Sequence, residues 1–161
     1  MVRLVIALSL LLPMEWVWAQ ADTRTIIGGG NEFLAAGANA IRAGDYDSGI
    51  RLTQRGLDDF LPPPKDRAAA LCNLCAAFTG VREAETALDY CNESLALDNR
   101  NWRTYSNRAA AYTLLGFYSE AVYDLDAAAA INPNAKAVIK LREIINELSL
   151  DPRVIMEDHQ Q

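Results

Sequence analysis

The strongest constraint on this chain is a pattern of small and apolar residues that recurs with a period of about 34 residues. In its clearest copy, two sets of such residues have the spacing of a helix face, and Gly116 lies between the sets. The sets are Tyr105, Ala109 and Tyr112, then Ala121, Val122, Leu125 and Ala128. Gly116 suits a tight turn because glycine tolerates positive φ, and Pro133 ends the second helix because proline lacks an amide donor. The pattern predicts a helical hairpin.

An earlier copy of the pattern lies one period before this hairpin. Its positions are Leu71, Leu74, Cys75, Phe78, Ala87, Cys91 and Asn99, and all of them except Asn99 are apolar or small. The order of aromatic, small and proline positions resembles the tetratricopeptide-repeat (TPR) family, with which it shares the period. The resemblance covers about residues 31–148. It implies an all-α fold, a TPR-like solenoid of three antiparallel helix hairpins in a right-handed stack with a C-terminal capping helix.

The chain divides into segments around this predicted domain. Residues 1–21 have a secretory signal peptide pattern: a basic start, the apolar run of residues 4–12, and small residues near Ala19 and Ala21. An uncleaved membrane anchor is the alternative. Residues 22–30 predict a flexible leader, and residues 31–148 the TPR-like domain, with repeats at about 30–63, 68–101 and 102–135 and a capping helix at 135–148. Residues 149–161 predict a C-terminal tail. We expect an exported protein of a bacterial periplasm.

The first repeat has the weakest pattern. Gly49 and Gly56 fall inside its second helix, where each glycine lowers helix propensity by up to about 1 kcal/mol. Asp45 is placed to cap that helix, as Asn101 is for the third repeat. Pro62, Pro63 and Pro64 lengthen the step to the second repeat and predict either a stiff elbow or a simple loop.

Composition and motifs argue against several function classes. With 161 residues, a net charge of −6 and a pI near 4.7, the chain has room for one domain and is a poor candidate for nucleic acid. It lacks nucleophile-elbow, phosphate-loop and zinc-protease motifs, and its single histidine, His159, lies in the tail. Asp124 and Asp126 are interpreted as parts of solvated helix faces. We expect no enzyme activity, no cofactor, no metal site and no small-molecule substrate.

Cys72, Cys75 and Cys91 leave three interpretations open. All three can be buried thiols, Cys75 and Cys91 can form a disulfide across the middle hairpin, or Cys72 and Cys75 can act as a redox pair. The redox pair is disfavoured because it lies inside a predicted helix and not at a helix N-terminus.

The resemblance implies a concave groove lined by the first helix of each repeat. It places ten residues there: Leu34, Ala38 and Ile41, then Cys72, Asn73 and Ala76, then Arg103, Ser106, Asn107 and Ala110. For Ala76 and Ala110, internal packing is an equal alternative. Asn73 and Asn107 can each offer a donor and an acceptor to a partner backbone.

One branch of the family grips a C-terminal carboxylate with a clamp of lysine, asparagine and arginine. The residues from Tyr105 to Tyr112 resemble that branch, but Leu34 and Ala38 replace the lysine and asparagine of the clamp in the first repeat, and Asn107 replaces its arginine in the third. We therefore expect a non-catalytic scaffold of the cell envelope, a monomer or part of a complex, that binds a peptide segment or partner subunit in the groove without the clamp. The alternatives are a thiol redox or thiol-sensing protein using Cys72 and Cys75, and a homo-oligomer whose groove holds its own tail.

Overall fold

The structure is a computed structural model that describes residues 31–149, and within that range it contains seven helices and no strands. The helices are α1 (Glu32–Arg42), α2 (Tyr46–Asp58), α3 (Pro64–Gly80), α4 (Ala84–Leu97), α5 (Trp102–Leu114), α6 (Tyr118–Ile131) and α7 (Lys136–Ser149). The predicted signal peptide and leader lie outside the described residues, as does the tail beyond Ser149. The all-α prediction is confirmed.

Side chains cap the helices where the sequence predicts them. Asn101 accepts a hydrogen bond from the amide of Arg103 (3.1 Å) at the start of α5. Asp45 accepts from the amide of Ser48 (3.1 Å) at the start of α2. Hydrogen bonds from the Ser48 hydroxyl and amide lower the pKa of the Asp45 carboxyl, since they favour its charged form. Pro63 occupies the cap position of α3, which begins at Pro64, where a missing amide hydrogen breaks no helical bond.

The turns inside the three hairpins share one backbone feature. Gly44 (φ 85°), Arg82 (φ 66°) and Gly116 (φ 81°) occupy the left-handed region between the paired helices. The prediction for Gly116 is confirmed. Arg82 adopts at the middle turn a conformation that glycine adopts at the other two, and it does so with a Cβ that the left-handed region disfavours.

The helices form a stack in which α1, α3, α5 and α7 are neighbours in one layer. The hairpins are α1–α2, α3–α4 and α5–α6; α3 also contacts α1 and α5, while α7 contacts both helices of the last hairpin. We call α1, α3 and α5 the inner row. Val138, Leu141 and Ile145 of α7 are buried with Leu125 and Ala128 of α6 in one apolar cluster. This packing closes the last repeat, as predicted for a capping helix.

Glycines allow α1 and α2 to cross at close range. A Cβ added to Gly37 would lie 2.3 Å from Oγ1 of Thr53, and one added to Gly49 would lie 2.2 Å from Cγ1 of Ile41. One added to Gly56 would lie 2.6 Å from Cδ2 of Leu34. The glycines that reduce helix propensity in α2 therefore provide the contact surface of the first hairpin.

Candidate functional site

The inner row carries all ten residues of the predicted groove, but it does not present all of them to solvent. Arg103 and Ala110 are partly exposed, and the other eight are buried. Those eight are Leu34, Ala38, Ile41, Cys72, Asn73, Ala76, Ser106 and Asn107. The middle helix α3 is buried at every position from Ala68 to Thr79. Burial on every side distinguishes α3 from a helix with one solvated face.

Leu34 and Ile41 belong to the interior of the first hairpin. Leu34 lies against Gly56, and Ile41 lies against Gly49, so both side chains contact α2. The family resemblance placed these two residues in the groove, whereas in the structure both side chains lie inside the first hairpin. We leave both out of the proposed binding surface.

Two further predicted residues make internal contacts. The Nδ2 atom of Asn107 donates to the carbonyl of Cys72 (3.4 Å), which joins α5 to α3. Ala76 packs with Ile41 and Ala77 in a small apolar cluster between the first two hairpins. The Asn107 amide is thus already engaged in holding the inner row together.

Asn73 is the exception among the buried polar residues of the inner row. Its exposed fraction is 0%, yet neither Nδ2 nor Oδ1 has a hydrogen-bond partner among residues 31–149. Leaving a buried amide unpaired costs about 1–3 kcal/mol per group, so native proteins seldom keep one without a purpose. A ligand that offered one acceptor and one donor would recover both interactions.

The third repeat supplies the accessible part of the inner row. The guanidinium of Arg103 stacks over the ring of Trp102, 4.5 Å from its centroid. Ala110 packs partly against the last apolar cluster and keeps some solvent contact. Ser106 is buried one helical turn before Ala110. The accessible part of the inner row is therefore small, with one positive charge at Arg103 and one apolar side chain at Ala110.

The cysteines adopt one of the three arrangements that the sequence left open. Cys75 and Cys91 form a disulfide that joins α3 to α4, with their Cα atoms 5.2 Å apart. Cys72 is a buried free thiol, and burial raises its pKa, which lowers the fraction of reactive thiolate. Because Cys75 is paired with Cys91, Cys72 and Cys75 do not form a redox pair in this structure.

The prediction that Asp124 lies on a solvated helix face is wrong. Its side chain is 1% exposed, and its carboxylate accepts two hydrogen bonds from Arg108, at 2.7 and 2.8 Å. Arg108 also donates to Oδ1 of Asn92 (2.7 Å), and the Asp124 bonds raise its pKa. Only the three-dimensional pairing of two residues 16 positions apart could reveal this. Asp126 is 66% exposed, in keeping with the prediction for it.

A concavity of about 400 Å³ lies beside this ion pair, between α5 and α6. It is lined by Arg108, Tyr112, Ser119, Glu120, Tyr123 and Asp124. Its two most buried charges, Arg108 and Asp124, already compensate each other. The concavity therefore offers a ligand fewer unpaired groups than Asn73 does.

Within residues 31–149, no group of three or more histidine, cysteine or acidic side chains is arranged to hold a metal ion. No helix in that range combines the length and apolarity that crossing a membrane requires.

Comparison with solved structures identifies the architecture. No protein-family model matches the sequence, and no curated protein does. The first TPR domain of human RPAP3 superposes with a TM-score of 0.62 at 25% identity, over 73% of this chain and 90% of that one. The fold is that of a tetratricopeptide-repeat domain. The first TPR of Spaghetti (RPAP3), bound to the HSP90 peptide SRMEEVD, gives a TM-score of 0.62 at 26% identity, covering 73% of this chain and 93% of that one. The Arabidopsis OM64 TPR domain gives 0.64 at 21% identity, covering 71% and 92%.

Proposed function

We propose that this TPR protein is a non-catalytic scaffold that binds a peptide segment or a partner subunit along its inner row. The proposed contact residues are Ala38, Cys72, Asn73, Ala76, Arg103, Ser106 and Ala110, while Asn107 is left out because its amide already joins α5 to α3. The similarity to a TPR domain solved with a bound peptide supports peptide binding as the type of function. The unpaired amide of Asn73 is the observation in this chain that carries the proposal.

Asn73 supports the binding proposal because a ligand can form hydrogen bonds with its amide without first breaking existing ones. Most buried polar groups are already paired in a free protein, so a ligand must replace existing bonds. At Asn73 a ligand adds bonds where none exist among the described residues. Since Asn73 is closed off from solvent in this structure, binding must be accompanied by opening over α3. Opening is compatible with a surface made of small side chains such as Ala76 and Ser106.

We place this activity in an oxidising compartment, the periplasm of a bacterium. The signal peptide pattern of residues 1–21 supports export. The disulfide between Cys75 and Cys91 supports the same location, because such bonds persist outside the reducing cytosol. The disulfide also weakens the alternative of thiol redox chemistry, since it uses one member of the Cys72–Cys75 pair.

In vivo photo-crosslinking tests the proposed surface. A photoreactive residue replaces Ala110 on the inner row or Asp126 on the outer helix α6, which is the matched control. We expect Ala110 to capture a defined protein and Asp126 to capture none. Capture at Asp126 alone would move binding to the outer surface. Crosslinks only between copies of this chain would instead support the homo-oligomer, which concentration-dependent mass would then confirm.

A further inference from the structure

We propose that residues 152–161 pack against the outward side of α7 as the second helix of an incomplete fourth repeat, with Asp158 pairing with Arg142. The outward side of α7 is the side opposite its buried residues, and it carries the exposed residues Ile139 and Glu143, with Arg142 at its edge. This packing concerns the C-terminal end of the stack and is independent of ligand binding at the inner row.

The contacts of α7 have the register of the first helix of a further repeat. Arg142 stands one repeat period after Arg108 of α5. Arg108 donates to Asn92 of α4 (2.7 Å), and Arg142 donates to Asp126 of α6 (2.7 Å). Both bonds reach back 16 positions along the chain. The helix α7 therefore makes against α6 the same polar contact that α5 makes against α4.

Arg108 has a second partner whose counterpart for Arg142 is not found within residues 31–149. Arg108 also binds Asp124 of α6, the helix that follows α5, at 2.7 and 2.8 Å. The side chain of Arg142 is 34% exposed, compared with 18% for Arg108. Asp158 stands one period after Asp124, so the chain supplies a carboxylate at the spacing that Arg142 needs.

The residues that follow α7 carry the signals of a helix start in the same register. Asp151 stands one period after Phe117, the cap residue of α6, and Pro152 stands one period after Tyr118, the first residue of α6. Aspartate is a preferred N-cap residue, and proline is favoured at the first helical position. The two residues together predict a helix that begins at Pro152.

The side chains of this segment divide in the same register. Ile155 stands one period after Ala121, which is buried in the third hairpin, so Ile155 is placed to cover the half-exposed Ile139. Glu157 stands one period after Tyr123, whose side chain is exposed, so Glu157 is placed toward solvent. The segment thus has one apolar contact and one ionic contact to offer α7.

Two departures from the third repeat limit how closely the segment can pack. Leu150 stands at the position of Gly116 (φ 81°), although Arg82 (φ 66°) shows that a residue with a Cβ adopts this turn conformation in the same chain. Glu143 stands where the small Ala109 lies in α5. We therefore expect the segment to contact α7 through the ends of side chains, at a wider spacing than that between α5 and α6.

The connection to α7 favours this chain's own segment over a second molecule. Two residues separate Ser149, the last residue of α7, from Pro152, and three residues separate α5 from α6. Short connections of this kind place consecutive helices side by side and antiparallel. Since the segment is tethered, its packing costs less entropy than the association of two molecules.

Amide hydrogen exchange of the intact protein, followed by mass spectrometry, tests this packing. Residues 153–161 should exchange at least about tenfold more slowly than in a synthetic peptide of residues 150–161, because packed helical amides open less often. Asp158→Asn should reduce this protection about threefold, as expected for an exposed ion pair, and should have no further effect in an Arg142→Gln variant. Glu157→Gln is the matched control and should change the protection less than about twofold.

Three results would overturn the proposal. The first is exchange of residues 153–161 as fast as in the free peptide. The second is an equal effect of Asp158→Asn with and without Arg142, which would show that the two side chains do not pair. The third is protection that rises with protein concentration, which would assign the segment to a second copy of the chain. In each variant the amides of α5 serve as the internal standard for an intact domain.

Discussion

Arg108 of α5 and Asp124 of α6 form a two-pronged ion pair inside the last hairpin, with bonds of 2.7 and 2.8 Å. Asn92 of α4 accepts a third bond from the same guanidinium, so one side chain joins three helices. The tyrosine rings at positions 105 and 112 face the cation at 5.7 and 6.0 Å. The ion pair thus ties the third repeat to the second.

Asp124→Asn should destabilise the domain by about 2 kcal/mol or more, because it leaves the partly buried charge of Arg108 uncompensated. Chemical unfolding followed by circular dichroism measures the change. Asp126→Asn is the control, since that carboxylate is exposed and should contribute less than about 1 kcal/mol. An Arg108→Met, Asp124→Leu double variant should recover most of the loss. Equal effects at Asp124 and Asp126 would contradict the buried role of the pair.

Arg82→Gly should stabilise the domain by about 1 kcal/mol, because Arg82 has a positive φ that glycine adopts without a Cβ clash. The same measurement on Gly116→Ala should show a loss of similar size at the equivalent turn. The pair of variants separates backbone strain from side-chain effects. If Arg82→Gly is destabilising, then the Arg82 side chain makes a contribution that outweighs its strain.

Much of this fold could be predicted from the sequence because the repeats share one period and their turns and helix starts carry characteristic residues. The period placed the three hairpins, Gly116 marked a turn, and Asp45 and Asn101 marked helix starts. These features depend on residues near one another in sequence. The packing role of Gly37, Gly49 and Gly56 could not be predicted in the same way, because it depends on which atoms of the partner helix come closest.

The cysteines predict a distinctive response to alkylation. Without reductant, the native protein should resist labelling, and the unfolded protein should take up one label, at Cys72. Mass spectrometry counts the labels. Three labels without reductant would exclude the disulfide. A Cys75→Ser, Cys91→Ser variant should lose about 3 kcal/mol of unfolding free energy in the chain-entropy account. Cys72→Ala should lose less, since it opens no cross-link.

Gly37→Ala should destabilise the domain although alanine is the better helix former. The added methyl group would lie 2.3 Å from Oγ1 of Thr53 and 3.0 Å from the Thr53 amide nitrogen, so α1 and α2 must separate. Overpacking of this kind costs about 1–3 kcal/mol, which exceeds the gain of up to about 1 kcal/mol in propensity. Thermal unfolding compares it with Ala36→Gly on the exposed face of α1, where only the loss of propensity applies. A stabilised Gly37→Ala variant would contradict the close crossing.

The site was less predictable than the fold, for a reason that Leu34 and Asn73 illustrate. The family pattern assigns residues to a face of a helix, and it places Leu34 in the groove, whereas Leu34 is buried against Gly56 inside the first hairpin. Asn73 was identified as a polar groove residue, but its lack of a partner could be seen only once its surroundings were known. A sequence records which groups can form hydrogen bonds and does not record which of them remain unpaired.

We propose that Asn73 serves a ligand and not the fold, and the unfolding free energy of the Asn73→Leu variant decides between these two roles. Removing an unpaired buried amide should leave stability unchanged or raise it, while capture of the partner by a photoreactive residue at position 110 should fall at least about tenfold. Asn107→Leu is the matched control, because the Asn107 amide is paired and its loss should destabilise the domain. If Asn73→Leu loses more than about 1 kcal/mol of stability and the partner is still captured at position 110 as efficiently as in the natural protein, Asn73 is a structural residue and does not bind the partner.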